Sequence, residues 1–396
     1  AGLIPETAAA AIHRAALEVQ IDPGSLTDAT GENGVVVPAL IAAFRAEMQA
    51  PEHARYVHWG ATSQDIIDTA LILRLRQILA IHETRLREVI RALGALADAH
   101  ADLPMAARTY GQLATPTSFG AVVASWGQPL LRHLVRLDQM RPRLLAVSLS
   151  GAAGTLSVMG EKAPEIRASL AKALDLHDPG GNWHSARDTL AEMSGWATGV
   201  AVSLGKIAED LILMTQSGIN EVRLGSGGSS STMPQKQNPV GPSVLVALAR
   251  HLVGLNGEMQ TTGLHRQQRD GAAWFTEWLA LPQICVGLGR ALQTALDQVA
   301  HLSPDPDAML AGLDDGLGLI YAEALTFALA KEMPRPEAAQ KVKTLCAEAR
   351  ETGTSLADLA NTAFPGTNWT AELSPGRQLG QAPAEARSFA ADAGDI

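Results

Sequence analysis

A long run of apolar residues at helical spacing extends over residues 66–97 and predicts one long helix. Four further long helical patterns follow it, over residues 120–141, 182–220, 240–257 and 270–300. Hydrophobic residues make up 46% of the chain but aromatic residues only 4%, so the helices are expected to pack closely through small side chains. The sequence therefore predicts an all-α fold, an elongated bundle of long helices.

Segments rich in helix breakers divide the chain into three predicted domains. We predict a small helical N-terminal domain over residues 1–64, the central long-helix bundle over 65–302 and a small helical C-terminal domain over 303–396. The apolar surface of the central helices is wider than one chain can cover. It therefore predicts a helical core shared between subunits.

A loop rich in small residues separates the third long helical pattern from the fourth. Residues 225–231 contain three Gly and four Ser, which predicts a mobile loop, because Gly is entropically costly to order and Ser competes for backbone hydrogen bonds. The loop continues into a stiffer segment, in which Pro234 and Pro239 restrict the backbone around Lys236 and Asn238. A hydroxyl-rich flap beside a fixed cation and amide predicts closure over an anionic ligand. The alternative is a solvated loop between helices.

Two hydroxyl residues precede the first long helix. Thr62 and Ser63 stand just before Asp65 and the apolar run, which is the position of a helix N-cap. Hydroxyls and free N–H groups at such a terminus can receive a carboxylate of a ligand. Simple N-capping remains open as the alternative.

The overall charge limits the class of partner. A net charge of -10 argues against a nucleic acid or an anionic membrane as partner, whereas a cleft can still bind an anionic substrate through its local field.

Cys285 and Cys346 lie in apolar helical contexts without metal spacing, which predicts core thiols. No nucleotide loop or catalytic triad stands out, so no cofactor is expected. No leader and no run of about 18 apolar residues is found, which predicts a cytoplasmic protein.

Residues 230–239 read Ser-Ser-Thr-Met-Pro-Gln-Lys-Gln-Asn-Pro and resemble the GSSxMPxKxNP signature of the fumarase/aspartase superfamily. Ser229 is a departure, since the family usually carries Gly there. The resemblance implies that Ser230 transfers a proton and that Lys236 and Asn238 bind a substrate carboxylate. It also implies a homotetramer with active sites shared between subunits, and a helical stretch that precedes Ala1.

The resemblance extends to other segments. His58 and the pair Arg187-Asp188 correspond to residues of the adenylosuccinate-lyase-like branch, and Gln268-Arg269-Asp270 is similar to an ERD element. For His58 a structural role is the alternative, and for Asp188 an ion pair. The guanidinium of Arg187 is better suited to grip a carboxylate bidentately. The implied site consists of catalytic Ser230, Lys236 and His58, with Thr62, Ser63, Thr109, Arg187, Ser231 and Asn238 binding substrate.

Neighbouring residues narrow the resemblance within the superfamily. The segment 58–65, Trp183-His184 and Glu277-Trp278 are similar to the bacterial branch of carboxymuconate cycloisomerases. This implies a small polycarboxylate substrate and closure of 3-carboxy-cis,cis-muconate to a carboxymuconolactone in the protocatechuate arm of aromatic degradation. Trp274 and Trp278, four residues apart, are predicted to belong to the core.

Tyr110 bears on the type of reaction. Many lyases of the superfamily carry a His directly after the Thr that corresponds to Thr109, where it protonates the leaving group. Lactonisation needs no such acid, because its nucleophile is a carboxylate that is ionised at neutral pH. Tyr110 therefore favours ring closure. The alternatives are a cycloisomerase for another muconate such as 3-sulfomuconate, a fumarate-releasing lyase of the adenylosuccinate lyase type, and a non-catalytic structural homologue.

Overall fold

The computed structural model describes residues 1–225, 228–229 (backbone only), 233, 236–313 and 316–396. Within this part of the chain, four short helices come first: α1 (Glu6–Glu18), α2 (Thr27–Asn33), α3 (Val37–Glu47) and α4 (Pro51–Ala54). The long helices and one shorter helix follow: α5 (Ser63–Ala99), α6 (Phe119–Leu144), α7 (Ala163–Leu174), α8 (Asp188–Met214), α9 (Val240–Thr261) and α10 (Gly271–Ala300). The all-α prediction, with five long helices among the described residues, is confirmed.

Six further helices complete the described chain: α11 (Pro306–Ala311), α12 (Ala322–Leu329), α13 (Arg335–Thr352), α14 (Leu356–Ala363), α15 (Trp369–Glu372) and α16 (Ala382–Gly394). Strands are short and pair in twos: β1 (Pro104–Thr109) with β2 (Gln112–Ser118), β3 (Val222–Arg223) with β6 (Ser303–Pro304), and β4 (Gly228–Ser229) with β5 (Gln237–Asn238). All three pairs are antiparallel.

The chain divides into two compact units. Unit 1 takes Ala1–Ile81, Arg136–Ala197 and Val253–Val286, and unit 2 takes His82–Val135, Thr198–Leu252 and Gly287–Ile396. Each of the five long helices contributes residues to both units. The predicted domain boundaries after residues 64 and 302 stay a prediction.

Helix α5 shows why the apolar pattern produces this fold. Its buried residues recur three or four positions apart, as one face of a helix requires: Ile72, Leu75 and Leu79 in unit 1, and Leu86, Val89, Ile90, Leu93 and Ala97 in unit 2. Each is at most 1% exposed. Burial of such a stripe, rather than helix propensity alone, supplies most of the stability of a helix in a folded protein.

Glycines allow the helices of unit 2 to pack closely. A Cβ added to Gly127 of α6 would lie 1.9 Å from Cζ of Phe389 on α16, and one added to Gly94 of α5 would lie 2.6 Å from Cβ of Ala393. Both distances are shorter than any real carbon contact, so only Gly fits at these two crossings. Close packing through small side chains, predicted from the low aromatic content, is found here.

A β-hairpin before α6 was not predicted. Strands β1 and β2 pair from Pro104 opposite Ser118 to Thr109 opposite Gln112. The turn consists of Tyr110 and Gly111, with φ of 52° and 73°, so both adopt the left-handed conformation that a tight two-residue hairpin turn uses. A Tyr at the first turn position gives little turn signal in sequence, which explains why the hairpin was missed.

The two cysteines differ in exposure. Cys285 on α10 is buried, and burial raises the pKa of its thiol to about 12. Cys346 on α13 is half-buried, and burial raises its pKa as well. Both thiols are free; Cys285 is a core residue as predicted, whereas Cys346 is only partly buried against a hydrophobic cluster.

None of the helices in the described part of the chain combines the length and apolar character that a membrane crossing would need.

Candidate active site

The N-terminus of α5 presents two hydroxyl groups. The backbone N–H of Thr62 donates to Oδ2 of Asp65 at 2.9 Å, and the N–H of Asp65 donates back to the carbonyl of Thr62 at 3.1 Å. These two hydrogen bonds cap the helix without using a hydroxyl. The side chains of Thr62 and Ser63 are half-buried, and neither hydroxyl has a hydrogen-bond partner among the residues described. Both hydroxyls are therefore available to a ligand.

Asp65 ties this helix terminus to the loop after α6. Its carboxylate is 2% exposed and accepts the backbone N–H groups of Ser150 at 2.7 Å and Gly151 at 3.0 Å. Nε2 of His184 donates to Oδ1 of the same carboxylate at 2.8 Å. Burial alone would raise the pKa of Asp65, but the hydrogen bonds from His184, Thr62 and Gly151 outweigh it and hold the pKa below its usual value. Asp65 is therefore a fixed negative charge beneath the two hydroxyls.

Arg187 lies at the centre of a buried ion cluster. Nη1 and Nη2 donate to Asp68 of α5 at 2.7 and 3.1 Å, while Nε and Nη2 donate to Glu277 of α10 at 2.8 and 2.7 Å. All three side chains are excluded from solvent. The ring of Trp183 lies 4.9 Å from the guanidinium carbon, within the range of a cation–π contact. Four of the five N–H groups of Arg187 are thus used within the protein.

The ionisation of this cluster reflects its charge balance. Burial and the neighbouring charge of Asp68 raise the pKa of Glu277, although Arg187 opposes both effects. Burial alone would lower the pKa of Arg187, but its hydrogen bonds to Glu277 and the charge of Asp68 raise it instead. Arg187 thus forms ion pairs inside the protein. Such a role is the alternative that the sequence leaves open for the adjacent Asp188. For Arg187, predicted to grip a substrate carboxylate, one N–H remains for any further acceptor.

Arg269, the middle residue of the ERD-like element, presents a second guanidinium in unit 1. Its side chain is exposed, and Nε donates to Oε1 of Gln64 at 2.8 Å. Nη2 lies 3.3 Å from the carbonyl of Ala152 and 3.4 Å from Nδ1 of His184. Nη1 contacts no acceptor in the described part of the chain. One edge of this guanidinium is therefore anchored, and Nη1 is available to an anion.

His58 combines a strained backbone with an unpaired side-chain atom. Its φ of 64° is in the left-handed region, which a residue with a Cβ adopts at a cost. Its Nε2 is buried and has no hydrogen-bond partner among the described residues. Unpaired buried polar atoms are rare in folded proteins, and strained conformations concentrate at functional sites. Both features agree with the predicted catalytic role of His58, which remains a prediction.

The other predicted residues belong to unit 2. Thr109 is exposed at the end of β1, and the Tyr110 side chain beside it is fully exposed. Arg108 instead pairs with the buried carboxylate of Glu221, at 2.8 Å between Nη2 and Oε1. Lys236 is exposed and its backbone N–H donates to the carbonyl of Met233 at 2.9 Å.

Asn238 lies in the short ribbon that β5 forms with β4. It pairs with Gly228, and Gln237 pairs with Ser229, so the Lys/Asn segment and the start of the Ser-rich segment run side by side. The side chain of Asn238 is half-buried. Ser230 and Ser231 lie outside the described residues.

No group of three or more His, Cys, Asp or Glu side chains among the described residues is arranged to hold a metal ion. Among the described residues, unit 1 offers hydroxyls, an anchored guanidinium and an unpaired imidazole nitrogen. Unit 2, described by itself, offers an ammonium and an amide.

Comparisons with known proteins match nearly the whole chain. A family model described as "Lyase" matches residues 1–254. The 3-carboxy-cis,cis-muconate cycloisomerase of Pseudomonas aeruginosa is 38% identical over 394 residues, which cover 97% of this chain and 86% of that protein. The N-acetyl-S-(2-succino)cysteine lyase of Dickeya dadantii is 35% identical over 337 residues, covering 83% and 73%. The crystal structure of the 3-carboxy-cis,cis-muconate lactonizing enzyme from Pseudomonas putida superposes with a TM-score of 0.91 at 34% identity, covering 100% of this chain and 90% of that one.

Proposed function

Since the chain belongs to the fumarase/aspartase superfamily of lyases and is an enzyme of the lyase/isomerase type, we propose that it is a cycloisomerase that closes 3-carboxy-cis,cis-muconate to a carboxymuconolactone. The observation that carries this proposal is the 38% identity to the Pseudomonas aeruginosa cycloisomerase along almost the entire chain. The 3-carboxy-cis,cis-muconate cycloisomerases of Pseudomonas putida and Acinetobacter baylyi, at 37% and 34% identity, support it.

Tyr110 supports ring closure over elimination. A lyase that expels an amine or alcohol needs an acid for the leaving group as well as a base for the α-proton. The residue after Thr109 is Tyr110, at the exposed turn of the hairpin, and no His occurs between His100 and His133. Lactonisation needs only one proton, delivered to carbon, so it does not require the missing His.

The reaction is a conjugate addition that conserves all atoms of the substrate. A carboxylate oxygen forms a bond to the far carbon of a conjugated double bond, and the electron pair of that double bond moves toward a second carboxylate as an enediolate. Ser230 then gives its proton to the α-carbon, and the electron pair of the enediolate forms the new C–H bond. The Lys236 ammonium and the Asn238 amide stabilise the charge that develops on the second carboxylate. The Ser230 alkoxide regains a proton from solvent before the next turnover.

The residues at the N-terminus of α5 bind and orient the substrate in this proposal. Thr62 and Ser63 offer hydroxyls that have no partner among the described residues, and Arg269 offers the Nη1 edge of an anchored guanidinium. Holding the attacking carboxylate close to the double bond removes much of the entropic barrier to reaction. Arg187 acts indirectly in this proposal, because its ion pair with Asp68 holds α5 in place rather than the ligand. His58 and Thr109 complete the proposed set, together with Ser231, which follows Ser230 in the sequence.

An ultraviolet assay of the purified chain tests the proposal. We expect loss of diene absorbance with 3-carboxy-cis,cis-muconate, and a lactone rather than fumarate as the product by NMR. 3-Sulfomuconate, adenylosuccinate and N-acetyl-S-(2-succino)cysteine are tested side by side. Turnover of 3-sulfomuconate alone would identify a cycloisomerase for a different muconate. Release of fumarate from either succinyl compound, with no reaction of the muconates, would refute ring closure and establish a lyase.

We also propose a homotetramer with shared active sites, as the family resemblance implies. Light scattering should give about four times the chain mass of 41.6 kDa. Two inactive variants, His58→Gly and Lys236→Ala, should recover part of the activity when refolded together, because some sites then combine two unaltered segments. A monomer in solution, or no recovery in a mixed oligomer, would contradict the shared site.

A further inference from the structure

We propose that His184 is a positioning residue: anchored by Asp65, it orients the guanidinium of Arg269 toward a carboxylate of the substrate. This inference rests on the proposed function, because it assumes an anionic substrate at the N-terminus of α5. It concerns a residue pair that lies outside the predicted set of catalytic and binding residues.

Arg269 needs an external support to hold a defined orientation. It lies between the end of α9 at Thr261 and the start of α10 at Gly271, and its side chain is exposed. A free arginine side chain of this kind loses about 2 kcal/mol of rotamer entropy when it is fixed to bind a ligand. A protein that fixes the side chain beforehand removes that cost from substrate binding.

The support consists of buried groups on one edge of the guanidinium. Nε donates to Oε1 of Gln64 at 2.8 Å, and Nη2 lies 3.3 Å from the carbonyl of Ala152 and 3.4 Å from Nδ1 of His184. Gln64 is 0% exposed and His184 is 1% exposed. Nη1, on the opposite side, has no acceptor among the described residues. This is the geometry of an arginine that the protein holds by one edge, with the other edge left for an anion.

The orientation of His184 follows from its two neighbours. Nε2 lies 2.8 Å from the ionised carboxylate of Asp65, so Nε2 carries the proton and donates it. Nδ1 faces Nη2 of Arg269, which is always a donor, so Nδ1 presents its lone pair. Asp65 thereby selects the one neutral tautomer of His184 that can accept from Arg269.

Gln64 is held in place by the same group of buried residues. Its Nε2 donates to the backbone carbonyl of His184 at 2.8 Å and to Oδ2 of Asp68 at 3.2 Å. Both donors of the amide are therefore used, which leaves Oε1 to face Arg269. A chain of contacts thus runs from two buried carboxylates, through a buried amide and a buried imidazole, to one exposed guanidinium. A purely structural tether would have no reason to leave the Nη1 edge open.

Two substitutions of His184 separate its contacts. In His184→Gln the amide nitrogen occupies roughly the place of Nε2, so the variant keeps the donor to Asp65 and loses the acceptor for Arg269. In His184→Asn the amide oxygen occupies roughly the place of Nδ1, so it keeps the acceptor and loses the donor. Arg269→Lys removes the guanidinium edge directly. Circular dichroism and melting of all three variants control for folding.

The experiment measures steady-state kinetics with 3-carboxy-cis,cis-muconate. We expect His184→Gln and Arg269→Lys each to raise KM about tenfold or more with kcat within about threefold, as loss of substrate binding requires. The double variant should be no worse than Arg269→Lys alone, because both changes act through one group. His184→Asn should melt at a lower temperature but keep a KM within about threefold of the unaltered chain. A KM for His184→Gln within twofold, or additive effects in the double variant, would overturn the inference.

Failure of this inference can be told apart from failure of the proposed function. If the unaltered chain turns over a muconate and His184→Gln matches it, only the role of His184 is refuted. If the unaltered chain turns over no muconate, the proposed function is refuted. Calorimetric binding of tricarballylate, a simple tricarboxylate, to the same variants then decides whether His184 supports an anion site. Equal affinities of the unaltered chain and His184→Gln would refute that role as well.

Discussion

Nε and Nη2 of Arg187 face the two carboxylate oxygens of Glu277 at 2.8 and 2.7 Å, and neither side chain is exposed to solvent. Asp68 contacts the other side of the same guanidinium, so one buried cation serves two carboxylates. Removing charges from water is costly, and each member of such a cluster depends on the others for compensation. The cluster joins helices α5 and α10 and the start of α8 at the level of the candidate site in unit 1.

Replacement of Arg187 should be the most destabilising single change in this cluster. Arg187→Met leaves two buried carboxylates without their cation and should cost about 3–5 kcal/mol of the free energy of unfolding. Glu277→Gln should lower the free energy of unfolding less, because Arg187 and Asp68 then remain as an ion pair with no net charge. Urea denaturation followed by circular dichroism measures both. Arg143→Met, which breaks an exposed pair with Glu192, is the matched control and should change the midpoint far less. Equal midpoints for Arg187→Met and Arg143→Met would contradict the assignment.

The stabilising effect of Asp65 should depend on pH in the acid range. Its folded-state pKa is lowered, so its contribution is fully present above the unfolded value of about 4 and is lost as the pH falls through the lowered folded value. The stability difference between the unaltered chain and Asp65→Asn should therefore be largest at neutral pH and shrink below about pH 4. Glu277, whose pKa is raised, acts in the opposite sense but is present in both proteins.

Thermal melting at several pH values measures the stability difference between the unaltered chain and Asp65→Asn. Asp28 is an exposed residue of α2, so Asp28→Asn serves as the control and should leave the melting temperature at neutral pH nearly unchanged. A difference between the unaltered chain and Asp65→Asn that stays constant from pH 7 to pH 3 would exclude an ionised, hydrogen-bonded Asp65.

His58 allows backbone strain to be separated from chemistry. Because its φ is 64°, His58→Gly should relieve about 1 kcal/mol of strain, whereas His58→Ala should keep it. The glycine variant should therefore be the more stable of the two. Both should lose activity if the imidazole takes part in the reaction. Melting temperature and initial rates are measured together, and full activity in both variants would remove His58 from the mechanism.

Lys236 should stabilise the charge that develops in the reaction. Lys236→Ala should lower kcat by about 10²–10³-fold, the range found when one preorganised donor to a developing oxyanion is removed. The helical content should stay the same, because Lys236 is exposed. Lys343→Ala on α13, another exposed lysine, is the control and should retain normal rates. A reduction of less than threefold for Lys236→Ala would argue against its proposed role.

Ser230 should be essential for turnover. Ser230→Ala removes the proposed proton donor and should abolish turnover, while helical content and oligomeric state persist. Ser229→Gly is the matched change one residue earlier, since it restores the residue that the superfamily usually carries, and it should stay active. Initial rates of the two variants are compared at equal folded concentration. Near-normal activity of Ser230→Ala would assign the proton to another group.

The long helices could be predicted because their signal is local. Apolar spacing over residues 66–97 and 270–300 corresponds closely to Ser63–Ala99 and Gly271–Ala300. The pattern predicted over 182–220 is shorter in the structure, where α8 begins at Asp188 and ends at Met214. Asn182 explains the late start, since its side chain accepts the N–H of His184 at 3.0 Å and forms a turn instead of a helix.

The partners of the charged residues could not be predicted in the same way. The sequence predicts that the guanidinium of Arg187 binds a substrate carboxylate, which stays a prediction, whereas its pairing with Asp68 and Glu277 inside the protein was not predicted. Asp68 lies 119 positions away from Arg187, and Gln64 lies 205 positions away from Arg269. Contacts over such separations depend on how the helices pack, which no local pattern encodes. The superfamily signature instead assigns roles to Ser230, Lys236 and Asn238 by motif rather than by contact, and those roles stay predictions.

The high thiol pKa of Cys285 allows this cysteine to stay in place when another site is labelled with a fluorescent dye. At a pKa of about 12, roughly one thiol in 10⁵ is ionised at pH 7, so a maleimide dye reacts with it very slowly. A cysteine introduced at the exposed Gln237 would react much faster. With Cys285 left in place and the half-buried Cys346 replaced by Ser, the dye would then report changes around the Lys/Asn segment during turnover.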